Sequence, residues 1–163
     1  HAVSFVSTTG YSYIDFSNLP PYVLFILAMV MLIGGMSVST AGGFKIIRLV
    51  NALSFIKEGI KSFVLNKEEL KMDETIVFSV LYIILYFVFV GILTFIFSFY
   101  GFDVSKSFFD AASSLSTSGF SVGIVNDNLP LELKVVIIFY MILARIEILP
   151  LFSIFFINRK NYE

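Results

Sequence analysis

Long uncharged apolar runs alternate with short charged ones along the chain. Thr75 to Tyr100 reads TIVFSVLYIILYFVFVGILTFIFSFY, without one charge and apolar on every helical face. A helix of that length covers about 39 Å, enough to cross a bilayer with some tilt. Pro20 to Phe44 is also uncharged, but its texture changes halfway. Residues 20–33 are bulky and apolar, whereas Gly34 to Gly43 reads GGMSVSTAGG. Glycine and serine both favour leaving a helix, so an inward span that breaks at this point is predicted. Leu133 to Ile157 is apolar except for Lys134 at its start and Arg145-Ile146-Glu147 at its centre, with Pro150 just after. Within 44–64, Ile46, Val50, Leu53, Ile56, Ile60 and Phe63 share one helical face, with Lys45, Arg48, Asn51, Glu58 and Lys61 elsewhere. That predicts a helix either extending into the cytoplasm or lying on the membrane surface. Asn66 to Glu74 reads as a solvated loop.

Composition turns three apolar runs into a membrane assignment. The chain is 58% hydrophobic and 14% charged, about half the charge of an ordinary soluble domain. Too little polar side chain is left to cover a water-facing surface, which excludes a cytosolic enzyme and a disordered tail. A net charge of −1 also lacks the basic footprint of a nucleic-acid binder. There is no cysteine, and the one histidine stands at position 1, so thiol chemistry and histidine-based metal sites have no material.

Basic residues set the orientation. Lys45, Arg48, Lys57, Lys61, Lys67 and Lys71 lie between the first two spans, and Arg159 and Lys160 follow the third. The positive-inside rule places both groups in the cytoplasm. The other side leans acidic, with Asp15, Asp103, Asp110, Asp127 and Glu132 against Lys106 and Lys134. The expected fold is therefore an all-α integral membrane protein whose first and third spans run inward and whose second runs outward.

Self-comparison exposes a repeat. HAVSFVSTTGYS at the start of the chain aligns with DAASSLSTSGFS from Asp110, and Leu19-Pro20 aligns with Leu129-Pro130, a period of about 110 residues. The complete copy has an outward span (75–100), a short amphipathic stretch (104–116), a hydroxyl-glycine-aromatic turn (117–121) and an inward span (130–157). Both copies point the same way. The earlier copy lacks its outward span and opens inside its short helix, so the sequence is expected to be a piece of a longer protein.

Thr8-Thr9-Gly10-Tyr11 and Thr117-Ser118-Gly119-Phe120 carry the chemistry of a potassium-type selectivity filter. Stripping water from a monovalent cation takes rings of backbone carbonyls, here expected from Thr8, Thr9, Gly10, Thr117, Ser118 and Gly119. Glycine permits the backbone angles that aim consecutive carbonyls inward. The C-terminal end of the short helix before each loop favours a cation there. One T-x-G-[FY] match alone reads more readily as an ordinary turn; two copies, each followed by Leu-Pro and an inward span, point to the filter.

HAVSFVSTTGYS, MLIGGMSVSTAGGFKIIRL, SFFDAASSLSTSGFSVGI and ARIEILPL, in this order and over essentially the whole chain, closely resemble the Trk/Ktr/HKT superfamily of potassium transporters. The resemblance implies a potassium-channel-like architecture of four units around one pore, each a membrane helix, pore helix, filter loop and membrane helix. Residues 1–64 would then be the end of the third repeat, with pore helix, filter loop and a broken inward helix with a cytoplasmic extension. Residues 65–74 would be a cytoplasmic loop, and 75–163 the complete fourth repeat. The resemblance further implies that Gly10 and Gly119 line the pore. It also implies a gate of Gly34, Gly35, Ser37, Ser39, Thr40, Ala41, Gly42 and Gly43 together with Arg145. Ala144 stands where the family usually has glycine. The implied partners are the bilayer, a missing N-terminal half with two further repeats, a second copy in a homodimer and a cytoplasmic nucleotide-binding regulatory subunit of RCK type. The implied location is the prokaryotic plasma membrane, crossed several times.

Arg145 lies as far past Pro130 as Gly35 lies past Pro20, so in helices of equal tilt both sit about 22 Å below the start of the span. An arginine at that depth normally faces a cavity or a partner. It is read either as a barrier to cations below the filter or as one half of an ion pair with Glu147 or with a carboxylate of the missing half. The expected function is potassium uptake through a pore subunit that binds no cofactor, with sodium transport or a non-conducting scaffold as alternatives. An intramembrane enzyme is not expected, because Arg145 and Glu147 are the only charges deep in a span.

Overall fold

The computed structural model describes residues 2–36, 41–65 and 74–145, and there every regular element is a helix. In chain order these are α1 (Ala2–Val6), α2 (Pro21–Ile33), α3 (Ile46–Leu65), α4 (Glu74–Phe99), α5 (Val104–Leu115) and α6 (Leu131–Arg145). Pro21 opens α2, where its missing N–H removes no helical hydrogen bond. The helix stops at Ile33 because Gly34 turns to φ +68°.

One stripe of α4, comprising Ser79, Tyr82, Tyr86, Val90, Leu93 and Phe97, is buried. Its opposite face stays apolar although exposed, with Phe78, Leu81, Ile84, Ile92 and Phe95 outermost. A helix apolar all round belongs in a large core or in a membrane. Of the three predicted spans, α4 alone among the described residues is both long and apolar enough to cross a bilayer. The 13 residues of α2 reach only about 20 Å. The third span is described only as far as Arg145, so Glu147 and Pro150 lie outside the described residues, as do His1, Ser37, Ser39, Thr40 and the loop 66–73.

Several polar residues are buried around α5. Asp103 caps the start of α5, its carboxylate accepting from the Lys106 amide at 3.4 Å. From there α5 runs between α2 and α4, burying Ser107, Asp110, Ser113 and Ser114 along with Phe109, Ala111, Ala112 and Leu115. Leu24, Ala28 and Met31 of α2 and Val90, Leu93 and Phe97 of α4 belong to the same core. On the outer side α6 is fastened by Tyr140 against Phe89 and by the Tyr100 hydroxyl donating to Glu132 at 2.7 Å.

The stretch 44–64 is helical as expected, and the first half of α3 runs antiparallel along α4. Phe44 meets Tyr86 edge to face, the Arg48 guanidinium lies 3.7 Å from the centre of the Tyr82 ring, and the Asn51 amide donates to the Ser79 hydroxyl at 2.9 Å. Steps of three and four residues forward on α3 match equal steps backward on α4, which fixes the register. The polar side of α3 therefore faces its neighbour, and Ile46, Val50, Leu53, Ile56 and Ile60 are exposed. An arginine over an aromatic face and an amide on a hydroxyl are satisfied pairs, and they leave the apolar stripe turned outward.

Candidate functional site

The two T-x-G loops leave their helices by the same route. After α1, the Ser7 amide donates to the Val3 carbonyl at 2.9 Å and the Thr9 amide to Ser4 at 3.1 Å. After α5, the Ser116 amide donates to Ala112 at 2.9 Å and the Ser118 amide to Ser113 at 3.0 Å. Thr8 and Thr117 both sit at φ +51°, and Gly10 and Gly119 at +76° and +81°. A β-branched residue with positive φ is strained, and both copies hold one at the same place.

The loops also touch. A Cβ on Gly10 would lie 2.4 Å from the Ser118 carbonyl oxygen, so only glycine lets the first loop approach the backbone of the second. Behind the contact stand Phe5, Phe16, Phe109 and Phe120. Phe120 is 5% exposed and stacks on Phe5 with ring centres 4.2 Å apart, and Phe16 meets both edge-on. Tyr11, which aligns with Phe120, is 78% exposed. The Thr9 hydroxyl shares a hydrogen bond with Ser7 at 2.7 Å.

Against these loops lies the break between α2 and α3. Its two ends are joined, the Phe44 amide donating to the Leu32 carbonyl at 2.9 Å and the Ile46 amide to Gly35 at 3.2 Å. Gly34 and Gly43, at φ +68° and +86°, press together at this neck. The Gly42 amide donates to the Thr8 hydroxyl at 3.1 Å. A Cβ on Gly42 would fall 1.9 Å from the Ser116 carbonyl oxygen and 2.9 Å from the Thr117 hydroxyl. Gly42 thus fills the angle between the two loops. Ala41 is buried beside it and Gly35 half-buried. Between α1 and the break lies an open apolar groove of about 550 Å³ lined by Val3, Val6, Ser7, Gly35, Met36, Ala41 and Ile46. Arg145 ends the described part of α6 with its side chain exposed.

Two features carry more than the sequence pattern shows. One is the phenylalanine cluster that joins the loops. The other is Asp110, 1% exposed, whose carboxylate accepts from the Ser121 hydroxyl at 2.7 Å and from the amides of Val122 at 2.9 Å and Val125 at 3.2 Å. Its isolation was the available signal, since no other charge occurs between Ser107 and Asn126. Ser4 does comparable work for the first loop, accepting from the Tyr11 amide at 3.0 Å and donating to its carbonyl at 2.9 Å. Farther out, the Ser17 hydroxyl and amide both donate to exposed Asp15 and hold its carboxyl below the usual carboxylate range.

Comparison with known proteins adds a family. Residues 1–162 match the family model described as TrkH, cation transport protein. An uncharacterized cation transporter of Methanocaldococcus jannaschii is 31% identical over 162 residues, covering 94% of this chain and 34% of the relative. The Trk system potassium uptake protein TrkH of Halomonas elongata is 41% identical over 59 residues, which is 36% of this chain and 12% of that protein. The chain thus spans about a third of the length of the first of these relatives and less of the second.

Proposed function

The chain belongs to the TrkH family of cation transport proteins, hence to a class of membrane proteins, and on that premise we propose that it supplies two filter loops and a gate to a potassium uptake pore. The observation that carries this reading is the meeting of two matched T-x-G loops at Gly10 and Ser118. Non-helical backbone at membrane depth is tolerated where it is buried in protein or lines a water-filled cavity, and carbonyls from such backbone replace the hydration shell of a cation. Potassium is the ion for which the Halomonas relative is named.

In this reading Thr8, Thr9, Gly10, Thr117, Ser118 and Gly119 offer carbonyl oxygens to the ion, while Phe120 and its ring cluster brace the second loop from behind. The break from Gly34 to Gly43 is the gate. Docked, it presses Gly42 into the angle between the loops; the neighbouring apolar groove gives it room to withdraw. Arg145 adds a positive charge against cations at the depth of the break. The rest of the pore comes from two further repeats, and a second copy and an RCK-type subunit complete the assembly in the plasma membrane.

The test is rescue of a potassium-uptake-deficient cell by the full-length protein together with its regulator. Growth at low potassium is expected. Failure despite expression in the membrane sinks the uptake reading, and growth inhibition by sodium in its place turns it toward sodium.

A further inference from the structure

We propose that Asp110 is a positioning residue for ion selectivity, clamping the outer end of the second filter loop to the helix that carries its inner end. The inference rests on the pore reading above and goes beyond it, because it assigns a role to a side chain outside the ion-binding carbonyls.

The loop is held twice by one helix. Its inner end is tied by the Ser116, Thr117 and Ser118 amides donating to carbonyls of α5. Its outer end is tied by Ser121, Val122 and Val125, all three donating to the single carboxylate of Asp110. Between the two ties lie Gly119 and Phe120. A Cβ on Gly119 would meet nothing within 4 Å, so no side chain at this position helps to fix its carbonyl. The direction of that carbonyl follows from the two ties together with the packed ring of Phe120.

The chemistry calls for a carboxylate in particular. One oxygen accepts from Val122 and the other from both Ser121 and Val125, so each oxygen faces an N–H or O–H donor. Asparagine offers one acceptor oxygen, and its NH₂ group would confront a donor on the other side. Three donors of the loop occupy most of the acceptor sites of the carboxylate, which turns it toward the loop. A buried carboxylate without those donors would be strongly disfavoured, which makes clamp and helix mutually dependent. The first loop uses Ser4 on Tyr11 for the comparable task, so the two copies share a loop shape but not the group that holds it.

The experiment uses the full-length transporter in proteoliposomes, comparing wild type with Asp110→Asn and Ser121→Ala. Potassium and sodium fluxes are measured, together with hydrogen exchange at the Val122 and Val125 amides. Asp110→Asn is expected to keep conducting while its potassium-over-sodium ratio falls roughly tenfold, the size of one lost charge-assisted hydrogen bond. The two amides should exchange faster. Ser121→Ala, losing one tie of three, should fall in the same direction by less. A conducting Asp110→Asn with wild-type selectivity overturns the proposal. If Asp110→Asn does not assemble, an unchanged ratio in Ser121→Ala overturns it instead. If the wild type moves neither cation, the pore reading fails, and unchanged amide exchange in Asp110→Asn separately removes the clamp.

Discussion

The Gly42 amide donates to the Thr8 hydroxyl at 3.1 Å, a neutral hydrogen bond that latches the break between α2 and α3 to the first T-x-G loop. Thr8→Val removes the acceptor at nearly constant volume and keeps the β-branch. A net loss of about 1 kcal/mol, roughly fivefold in the docked-to-undocked ratio, is expected. Basal cation leak of the full-length protein in proteoliposomes should rise accordingly, while Thr8→Ser stays near wild type. An unchanged leak in Thr8→Val would detach the gate from this bond.

Gly42 and Gly91 make a matched pair of alanine substitutions. At Gly42 the new methyl would lie 1.9 Å from a backbone oxygen, which has no rotamer to escape by. Gly42→Ala should therefore keep the break from docking, raising leak and lowering the melting temperature in detergent. At Gly91, on the exposed side of α4, a methyl meets nothing within 4 Å. Gly91→Ala should change stability by less than about 1 kcal/mol, in the stabilising direction.

Phe5 and Phe120 stack across the two repeats, ring centres 4.2 Å apart at 28°. Phe5→Leu and Phe120→Leu should each destabilise, and the double variant should cost less than their sum by about 0.5–1.5 kcal/mol. Melting curves of the four proteins read this directly. Strict additivity would mean that the rings fill space without coupling the loops.

Tyr82 offers its ring to Arg48 at 3.7 Å. Tyr82→Phe keeps the π-face that Arg48 covers and Tyr82→Leu removes it, so the leucine variant should be less stable than the phenylalanine variant by about 0.5–2 kcal/mol. Equal losses in the two variants would assign the effect to the hydroxyl.

Legibility from the sequence followed the range of each interaction. The uncharged run from Thr75 announces α4 by itself, and the glycines after Ile33 announce the end of α2, because both are local properties. Periodicity in α3 also marked two faces correctly, yet it could not say which face meets protein. Arg48 and Asn51 read as water-facing until Tyr82 and Ser79, about thirty residues away, supply a π-face and a hydroxyl. The T-x-G motifs were visible as a pair. Their approach at Gly10 and the wedge formed by Gly42 arise from contacts between segments far apart in the chain. Asp110 reads from the sequence only as one more acidic residue of the outer side, since its meaning depends on residues 121–125 folding back upon α5.

The burial of α5 between α2 and α4 bears on how the chain enters a bilayer. A short segment with one aspartate and four serines between Val104 and Leu115 does not leave water for hydrocarbon unaided; insertion scales put the aspartate alone at about 2.5–3.5 kcal/mol at mid-depth. Both flanking helices precede it from the ribosome. The walls of the slot are therefore synthesised before the segment that fills it, and translation order itself spares α5 a direct encounter with lipid.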